Sequence, residues 1–359
     1  MTKNVNSQAL IIARESRGVS QGELATETGL SQGAISKAEN DALNLSPEIV
    51  DLIAAFLDFP PAFFYEEGRL RDGSSMCHYH LKRKTLPAKV LSRVNANLFV
   101  RVVNIRHMMR GLDIAGPLSF HAMDIEEFGS PENVARALRT AWRIPDGPIP
   151  DLTGLIESAG AIVILSPFGH RKLSGMSCWP TRDIPLFYLN SEISTANLRW
   201  AMAHELGHLT MHGTPSPNDI EKEAEAFAAE FLAPSRTIAP DLKALSFQRL
   251  GPLKIKWRIS MKALIYRASA LGCIGASEAQ RLYKRYSALG FNAEEPYEVP
   301  AEHPTLARKA AQVHLTEHSY SPQELRDSVR ITNADDYYEV TGLPLGRGGL
   351  SIVGGRSGS

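Results

Sequence analysis

The alternation of apolar and polar residues along the chain predicts a mainly helical protein with one small sheet. Apolar residues recur every three or four positions over 86–112 and 131–142, which is typical of helices that bury one face. Short apolar runs bounded by glycine or proline predict strands at 161–165, 175–179 and 185–189. We therefore expect an α+β fold in which helices predominate.

The first 68 residues carry the start and stop signals of four short helices. Ser20 begins the second helix in the S-x-x-E form of a capping box, and Gly29 ends it. Ser31 caps the third helix, and Ser46 followed by Pro47 opens the fourth. A short helix, a tight turn at a glycine and a second capped helix together predict an all-α helix-turn-helix domain.

Two stretches of this region carry a more specific signal, VSQGELA at 19–25 and GLSQGAISKAEN at 29–40. They resemble the Xre (Cro/cI-like) family of DNA-binding domains, and the resemblance covers about residues 7–66. In such a unit the third helix enters the major groove by its N-terminal side. The predicted partner is therefore double-stranded DNA.

Four polar side chains of this domain are placed to contact DNA. We expect Gln32 and Ser36 to reach base edges, and Gln21 and Lys37 to reach phosphates. Residues 1–68 carry only four Lys/Arg against ten Asp/Glu, which is unusual for a domain that binds phosphates. Three accounts stay open: a neighbouring basic segment supplies the phosphate contacts, dimerisation raises a weak affinity, or the helix-turn-helix docks a protein.

Basic residues concentrate in two segments, although the whole chain is neutral with 39 Lys/Arg and 39 Asp/Glu. Residues 69–110 carry ten Lys/Arg and one acidic residue, and residues 241–290 carry ten Lys/Arg and two acidic residues. Such segments create a positive field that an anionic partner can use, and we expect DNA to contact at least one of them. The alternative is that these charges solvate helices and pair with the acidic N-terminal segment.

The pentad HELGH at 204–208 indicates a metal site. On a helix, residues four apart lie on one face, so His204 and His208 can bind the same ion. Glu205 projects beside them, where it can accept a proton from the attacking water. The alternative is a core helix with two hydrogen-bonded histidines. The flanks favour the metal site, because no helix breaker directly precedes the pentad and a second helical run follows at 219–232.

A catalytic zinc site has three protein ligands and one open position. A carboxylate on the second helical run would complete the set. Glu221, Glu223 and Glu225 are the candidates, and spacing alone does not choose among them. We interpret His212, at the end of the pentad helix, as a residue that interacts with the helix dipole; the alternative is a hydrogen-bond donor behind the metal ligands.

The stretches 198–212 and 220–234 resemble the ImmA/IrrE family of zinc metallopeptidases, and the second resembles the family's E-x-x-A-(N/H/D)-x-F-A-(A/G) signature, from which it departs by having Glu225 at the N/H/D position. The resemblance continues at 253–268, where it is to the members that carry a helix-turn-helix. It implies a zincin-like domain in which Glu225 is a polar residue behind the metal ligands. The implied ligands of Zn²⁺ are His204, His208 and Glu221.

Together these signals predict a DNA-binding transcriptional regulator with a zinc endopeptidase domain, in which Glu205 is the catalytic base. The resemblance implies that it cleaves a repressor or partner protein in a stress, phage or mobile-element response. His170 and Tyr188 are the candidates for stabilising the oxyanion. The alternative function is a transcription factor or antitoxin-like binding protein whose zinc site is sensory or structural.

Other features of the sequence predict the cellular compartment and the oligomeric state of the protein. No run of about 18 apolar residues predicts a membrane span. The N-terminus lacks the apolar core of a signal peptide, and three cysteines are typical of a reducing compartment, so we expect a cytoplasmic protein. A homodimer is expected because helix-turn-helix proteins usually bind paired half-sites.

The predicted division of the chain has four parts. A helix-turn-helix domain comes first, a basic helical connector follows, the metallopeptidase domain is third, and a helical C-terminal region ends in a loose Gly/Ser-rich tail. The expected boundaries are 1–68, 69–145, 146–285 and 286–359.

Overall fold

The computed structural model describes residues 4–71, 87–113, 116–180, 184–212 and 219–345. Within these ranges the protein is mostly helical and contains one three-stranded sheet, which confirms the predicted α+β class. The middle of the basic segment 69–110 and the tail predicted at 346–359 lie outside the described residues. No helix in the described ranges has the length and apolar character needed to span a membrane.

The N-terminal head is a helical domain with its own core. Its elements are α1 (Ser7–Ser16), α2 (Gln21–Thr28), α3 (Gln32–Glu39), α4 (Pro47–Leu57) and a 3-10 helix (Pro61–Tyr65). Ser20 makes the predicted capping box with Glu23, and Gly29 ends α2 in the left-handed region at φ 70°. The predicted helix-turn-helix is therefore confirmed.

Helix α5 (Ala88–Met108) is shared by two cores. Phe99, Val100 and Val103 pack with the head, while Val94 and Leu98 belong to the cluster that includes the sheet. A helix with apolar residues on opposite sides must be covered on both. The head is therefore packed against the rest of the protein through α5.

The sheet follows three helices, α6 (Ile125–Phe128), α7 (Pro131–Ala141) and α8 (Leu152–Ser158). Its strands are β1 (Ile162–Ser166), β2 (Gly175–Cys178) and β3 (Leu186–Asn190). The central strand β3 runs parallel to β1 and antiparallel to β2, so β2 is an edge strand. Side chains alternate across the sheet.

The two faces of the sheet serve different cores. Tyr188 and Met176 face the core that contains α5, whereas Phe187 and Leu189 belong to a core with the next helix, α9 (Thr195–Met211). Ser177 alternates with Met176 and is therefore directed to the α9 side.

Helix α9 is the first of six consecutive helices that follow the sheet. After α9 come α10 (Ile220–Leu232), α11 (Ser235–Leu242), α12 (Phe247–Trp257), α13 (Met261–Ala270) and α14 (Ala276–Ala288). A Cβ atom on Gly207 of α9 would lie 2.9 Å from Phe227 Cδ1 of α10, so glycine permits the close crossing of these two helices. Helix α7, which lies in the predicted connector, packs against α10, and the domain boundaries stay a prediction.

The C-terminal helices α15 (Leu306–Thr316), α16 (Pro322–Ser328) and α17 (Ala334–Thr341) pack on α5 and β1. A group of buried polar side chains, which we call the Arg101 cluster, joins them to the head and the sheet. Arg101 pairs with Asp336 and Glu339, Arg17 of the head pairs with Asp336 at 3.0 Å, and Ser166 donates to Glu339 at 2.8 Å. The members of the cluster are Arg17, Arg101, Ser166, Tyr188, Asp336 and Glu339.

Candidate metal centre and DNA-binding face

Two histidines of α9 and one glutamate of α10 meet where these helices cross. His204 Nε2 lies 3.1 Å from His208 Nε2. Glu221 Oε2 lies 3.6 Å from His204 Nε2, and Glu221 Oε1 lies 3.5 Å from His208 Nε2. Among the described residues these three form a group whose ligand atoms all lie within 4.8 Å of one another. We call this group the metal centre.

The donor atoms lie close enough together to bind one tetrahedrally coordinated ion. Zinc bonds to histidine nitrogen and carboxylate oxygen are about 2.0–2.2 Å long, which makes the edge of the tetrahedron about 3.3 Å. The two Nε2 atoms are 3.1 Å apart, and each has one oxygen of the Glu221 carboxylate at 3.5–3.6 Å. Two imidazoles and one carboxylate are also a donor set that suits zinc and leaves a fourth position open.

The structure distinguishes the three candidate glutamates by their contacts, whereas their spacing along the sequence could not. Glu221 faces both Nε2 atoms, whereas Glu225 Oε2 lies 3.6 Å from the other ring nitrogen of His204, Nδ1. Glu223 Oε2 instead lies 2.9 Å from His212 Nε2. Glu221 is thus placed as a ligand, and Glu225 is placed behind a ligand.

His212 contacts one of the two pentad histidines. It stands at the C-terminal cap of α9, as expected, and its ring joins two other side chains. His212 Nδ1 lies 2.9 Å from His208 Nδ1, and its Nε2 faces Glu223. These contacts favour the alternative interpretation, a hydrogen-bonding residue behind a ligand, over an interaction with the helix dipole. The spacing of 204, 208 and 212 is the sequence signal for such a row of histidines.

Glu205 is buried beside the ligands, with 6% of its surface exposed. Its Oε2 accepts a hydrogen bond of 2.7 Å from Ser177 Oγ on the edge strand β2. Sequence reasoning did not find Ser177, because nothing in its neighbourhood links it to a residue 28 positions later. The contact fixes the orientation of the carboxylate relative to the histidines.

The carboxylates and histidines of the metal centre shift one another's pKa values. Burial lowers the pKa of His204, but hydrogen bonds to Glu221 and Glu225 and the charge of Glu205 outweigh it and raise the pKa to about 9. Burial raises the pKa of Glu221, but the two histidines outweigh it and hold the pKa well below its usual range. The carboxylates therefore favour positive charge at this point, which a divalent cation can supply in place of protons.

A cleft of about 440 Å³ opens beside the metal centre. It is bounded on one side by Ser174 and Gly175 of the edge strand and on the other by side chains of α13 and α14. Tyr188 does not reach this cleft, because its hydroxyl donates to Ser166 at 2.9 Å on the other face of the sheet. His170 is also absent from the cleft walls. Neither of the two expected oxyanion donors is thus placed to act.

The DNA-binding face predicted on the head is only partly free. Gln32 and Lys37 are exposed on α3, and Ser36 is half-buried. Gln21 Nε2 donates to Glu39 Oε2 at 2.7 Å, and Glu39 also pairs with Arg14. The amide nitrogen of Gln21 thus serves the packing of the head, and a phosphate contact by Gln21 stays a prediction.

Much of the charge in the two basic segments is paired inside the protein. Arg101 lies in the Arg101 cluster, Lys254 pairs with Glu295 at 2.9 Å, and Arg267 pairs with Glu230. These three cations are buried. They contribute to packing between helices, and DNA contact by either segment stays a prediction.

Comparison with protein families finds matches for two segments of the chain. Residues 10–64 match the family model described as Helix-turn-helix, and residues 156–269 match the peptidase M78 model described as the IrrE N-terminal-like domain. No curated protein and no solved structure matches the chain. The matches confirm the stated resemblances: a helix-turn-helix domain of the DNA-binding type precedes a domain of the metallopeptidase type. The second match contains the whole metal centre and Glu205.

Proposed function

We propose that this protein is a DNA-binding transcriptional regulator whose second domain is a zinc-dependent endopeptidase. The observation that carries the proposal is the convergence of His204 Nε2, His208 Nε2 and the Glu221 carboxylate within 4.8 Å of one another, with Glu205 beside them. A site that only stores or senses zinc has no need of a buried carboxylate next to the ligands. The protein substrate we propose is a repressor or partner protein, cleaved in a stress, phage or mobile-element response.

Each residue has a role in the proposed hydrolysis. When bound, Zn²⁺ would lower the pKa of a water molecule and polarise the scissile carbonyl. Ser177 holds Oε2 of Glu205, so that Oε1 can accept the proton of the water and later deliver it to the leaving amine. Strand β2 lies at the edge of the described sheet and next to the metal centre, where an extended peptide would be positioned.

The test is the variant Glu205→Gln, which keeps the hydrogen bond from Ser177 but removes the base. We expect it to retain zinc, measured by mass spectrometry of the metal, and to lose cleavage of a proteome-derived peptide library by at least about 100-fold. Glu127→Gln, on an exposed position of α6, is the matched control. Equal cleavage by wild type and Glu205→Gln would favour the alternative, a regulator or antitoxin-like protein with a sensory or structural zinc site.

The head supports the DNA-binding part of the proposal through the exposed Gln32 and Lys37 on α3. Phosphate contacts release counterions, so the affinity for duplex DNA should fall steeply with salt. Lys37→Ala should reduce the slope of log affinity against log salt by about 1, as measured by fluorescence anisotropy on the protein's own promoter. A flat salt response of the wild type would exclude phosphate contacts.

We also propose that the protein is a homodimer and that it is located in the cytoplasm, together with the DNA. Leu52 and Phe56, one turn apart on α4, are 52% and 40% exposed, which is unusual for large apolar side chains on one helix face. A two-fold contact there would match paired half-sites. Sedimentation of Leu52→Ser/Phe56→Ser as a monomer, against a dimeric wild type, would support this surface, whereas an unchanged dimer would exclude it.

A further inference from the structure

Two chemically different kinds of side chain line the cleft beside the metal centre. Three are cations: Arg171 and Lys172, which precede β2, and Lys262 near the start of α13. Others are aromatic and include Trp200 of α9, Tyr266 of α13 and Tyr283 of α14. A ligand that fills the cleft must meet both kinds, so their chemistry constrains its composition.

The three cations are exposed and are not in any ion pair with the residues that the structure describes. Elsewhere in the same region the protein pairs its cations, as with Lys254, Lys256 and Arg267. Lys262 uses only its backbone N–H, which donates to Glu295 at 3.2 Å. Its ammonium group is therefore available to a ligand.

The carboxylates of the cleft do not neutralise these cations. Glu221 and Glu225 face the two histidines at 3.5–3.6 Å, and Glu205 accepts from Ser177. With a divalent cation at the metal centre, the cleft would carry a net positive charge. A positive cleft concentrates anionic groups near the site.

Two of the aromatic rings in the cleft contact each other. The rings of Trp200 and Tyr266 meet edge to face, with centroids 6.2 Å apart and planes at 90°. Trp200 precedes His204 by one helical turn and so lies on the same side of α9. Neither ring carries a charge at neutral pH. Such a surface favours a bulky apolar or aromatic side chain.

We propose that the cleft selects extended peptide segments that carry an acidic side chain and a bulky apolar side chain near the bond to be cleaved. This inference rests on the proposed peptidase function and specifies its substrate class. A single-stranded nucleic acid would also offer negative charge and stacking bases. The peptide is favoured, because the cleft lies beside the metal centre, within the segment that matches the metallopeptidase-type family model.

The test has two readouts on the full-length, zinc-loaded protein. Cleavage of a proteome-derived peptide library gives the residues enriched around the cleaved bonds. Anisotropy of labelled peptides on Glu205→Gln measures binding without turnover. One peptide contains Glu and Phe, a second has Lys in place of Glu, and a third has Ala in place of Phe. We expect the first to bind at least about fivefold more tightly than either of the others.

Variants test which side chains of the cleft, cationic or aromatic, produce each preference. Lys172→Glu and Lys262→Glu should each reduce the preference for the acidic peptide by roughly fivefold, and added salt should weaken it. Tyr266→Ala should reduce the preference for Phe by roughly tenfold and leave the preference for Glu unchanged. Lys284→Glu, exposed on α14 but absent from the cleft walls, is the control and should change neither.

The outcomes separate this inference from the proposed function. Cleavage without enrichment of acidic and bulky residues would overturn the inference and leave the peptidase intact. Preferential binding by Glu205→Gln with no cleavage by the wild type would support the inference and overturn the peptidase. Displacement of the acidic peptide by a single-stranded oligonucleotide at lower concentration than by unlabelled peptide would overturn the peptide as the occupant.

Discussion

Two groups of buried charged side chains lie on opposite faces of the same sheet, and they differ in completeness. In the Arg101 cluster each charge has an opposite partner, and the hydroxyls of Ser166 and Tyr188 extend the hydrogen bonds. In the metal centre, three donor atoms point to one place, and of the two histidines His204 has a raised pKa whereas the pKa of His208 is lowered, chiefly by burial. A closed cluster, in which every charge is paired, stabilises packing. A group whose donor atoms are directed to one point can bind a metal ion. The predictions below test this difference.

The largest expected effect comes from breaking the closed cluster. Arg101→Leu would leave Asp336 and Glu339 buried without their main cation, which should lower the free energy of unfolding by about 3–5 kcal/mol. Urea unfolding measures this loss. Arg110→Leu, at an exposed position just after α5, should change the free energy by less than about 0.5 kcal/mol. A loss for Arg101→Leu as small as that of the control would show that the cluster does not hold the helices together.

The metal centre should respond to its ion. Zn²⁺ at about 100 times its dissociation constant should raise the free energy of unfolding of the wild type by about 2.7 kcal/mol. His208→Ala should abolish this gain, because it removes a donor atom. His121→Ala, at an exposed position outside the group, should keep it. Thermal unfolding with and without Zn²⁺ gives the comparison, and an equal gain in His208→Ala would place the ion elsewhere.

A smaller effect is expected from the side chains behind the ligands. His212→Ala should retain one zinc ion but weaken its binding by about 10- to 100-fold, because the ring that faces His208 Nδ1 is lost. Glu223→Gln, which perturbs only the far end of this contact, should have a weaker effect. Competition with a fluorescent chelator measures both affinities. An unchanged affinity in His212→Ala would mean that the contact does not orient His208.

The smallest expected effect is on the acid stability of the closed cluster. Burial opposes it, but Arg101 and Arg17 hold the pKa of Asp336 well below its usual range. A carboxyl with a depressed pKa in the folded state stabilises the fold fully above its unfolded pKa of about 4, and this contribution is lost as pH falls toward the folded pKa. Between pH 5 and pH 3 the wild type should therefore lose about 1 kcal/mol more than Asp336→Asn. Parallel pH profiles of the two proteins would contradict this role.

Local signals in the sequence were sufficient for the head and for two of the three ligands. Capping by Ser20 and the turn at Gly29 depend on neighbouring residues alone, and the pentad fixes His204 and His208 through helix geometry. Such features depend on a few consecutive residues, so the fold class and the core of the site could be predicted before the structure was seen.

The remaining parts of the site depend on how distant elements cross. Which glutamate of α10 reaches the histidines is set by the approach of that helix to α9, which Gly207 and Phe227 control, and spacing along the chain does not contain that angle. Family resemblance was needed to favour Glu221. The contact of Ser177 with Glu205 depends in turn on the placement of β2 against α9. No local pattern encodes it.

The shared helix α5 has a consequence for how this protein can be divided. Its residues Phe99, Val100 and Val103 are covered by the head and would be exposed to water in a chain that lacked it. Arg17 of the head also supplies one of the charges around Asp336. A chain expressed without the head would therefore expose these apolar residues of α5 and aggregate more readily than the full-length protein. The head and the metallopeptidase-type domain therefore form one folding unit, and loss of the head would impair the solubility of the rest of the protein.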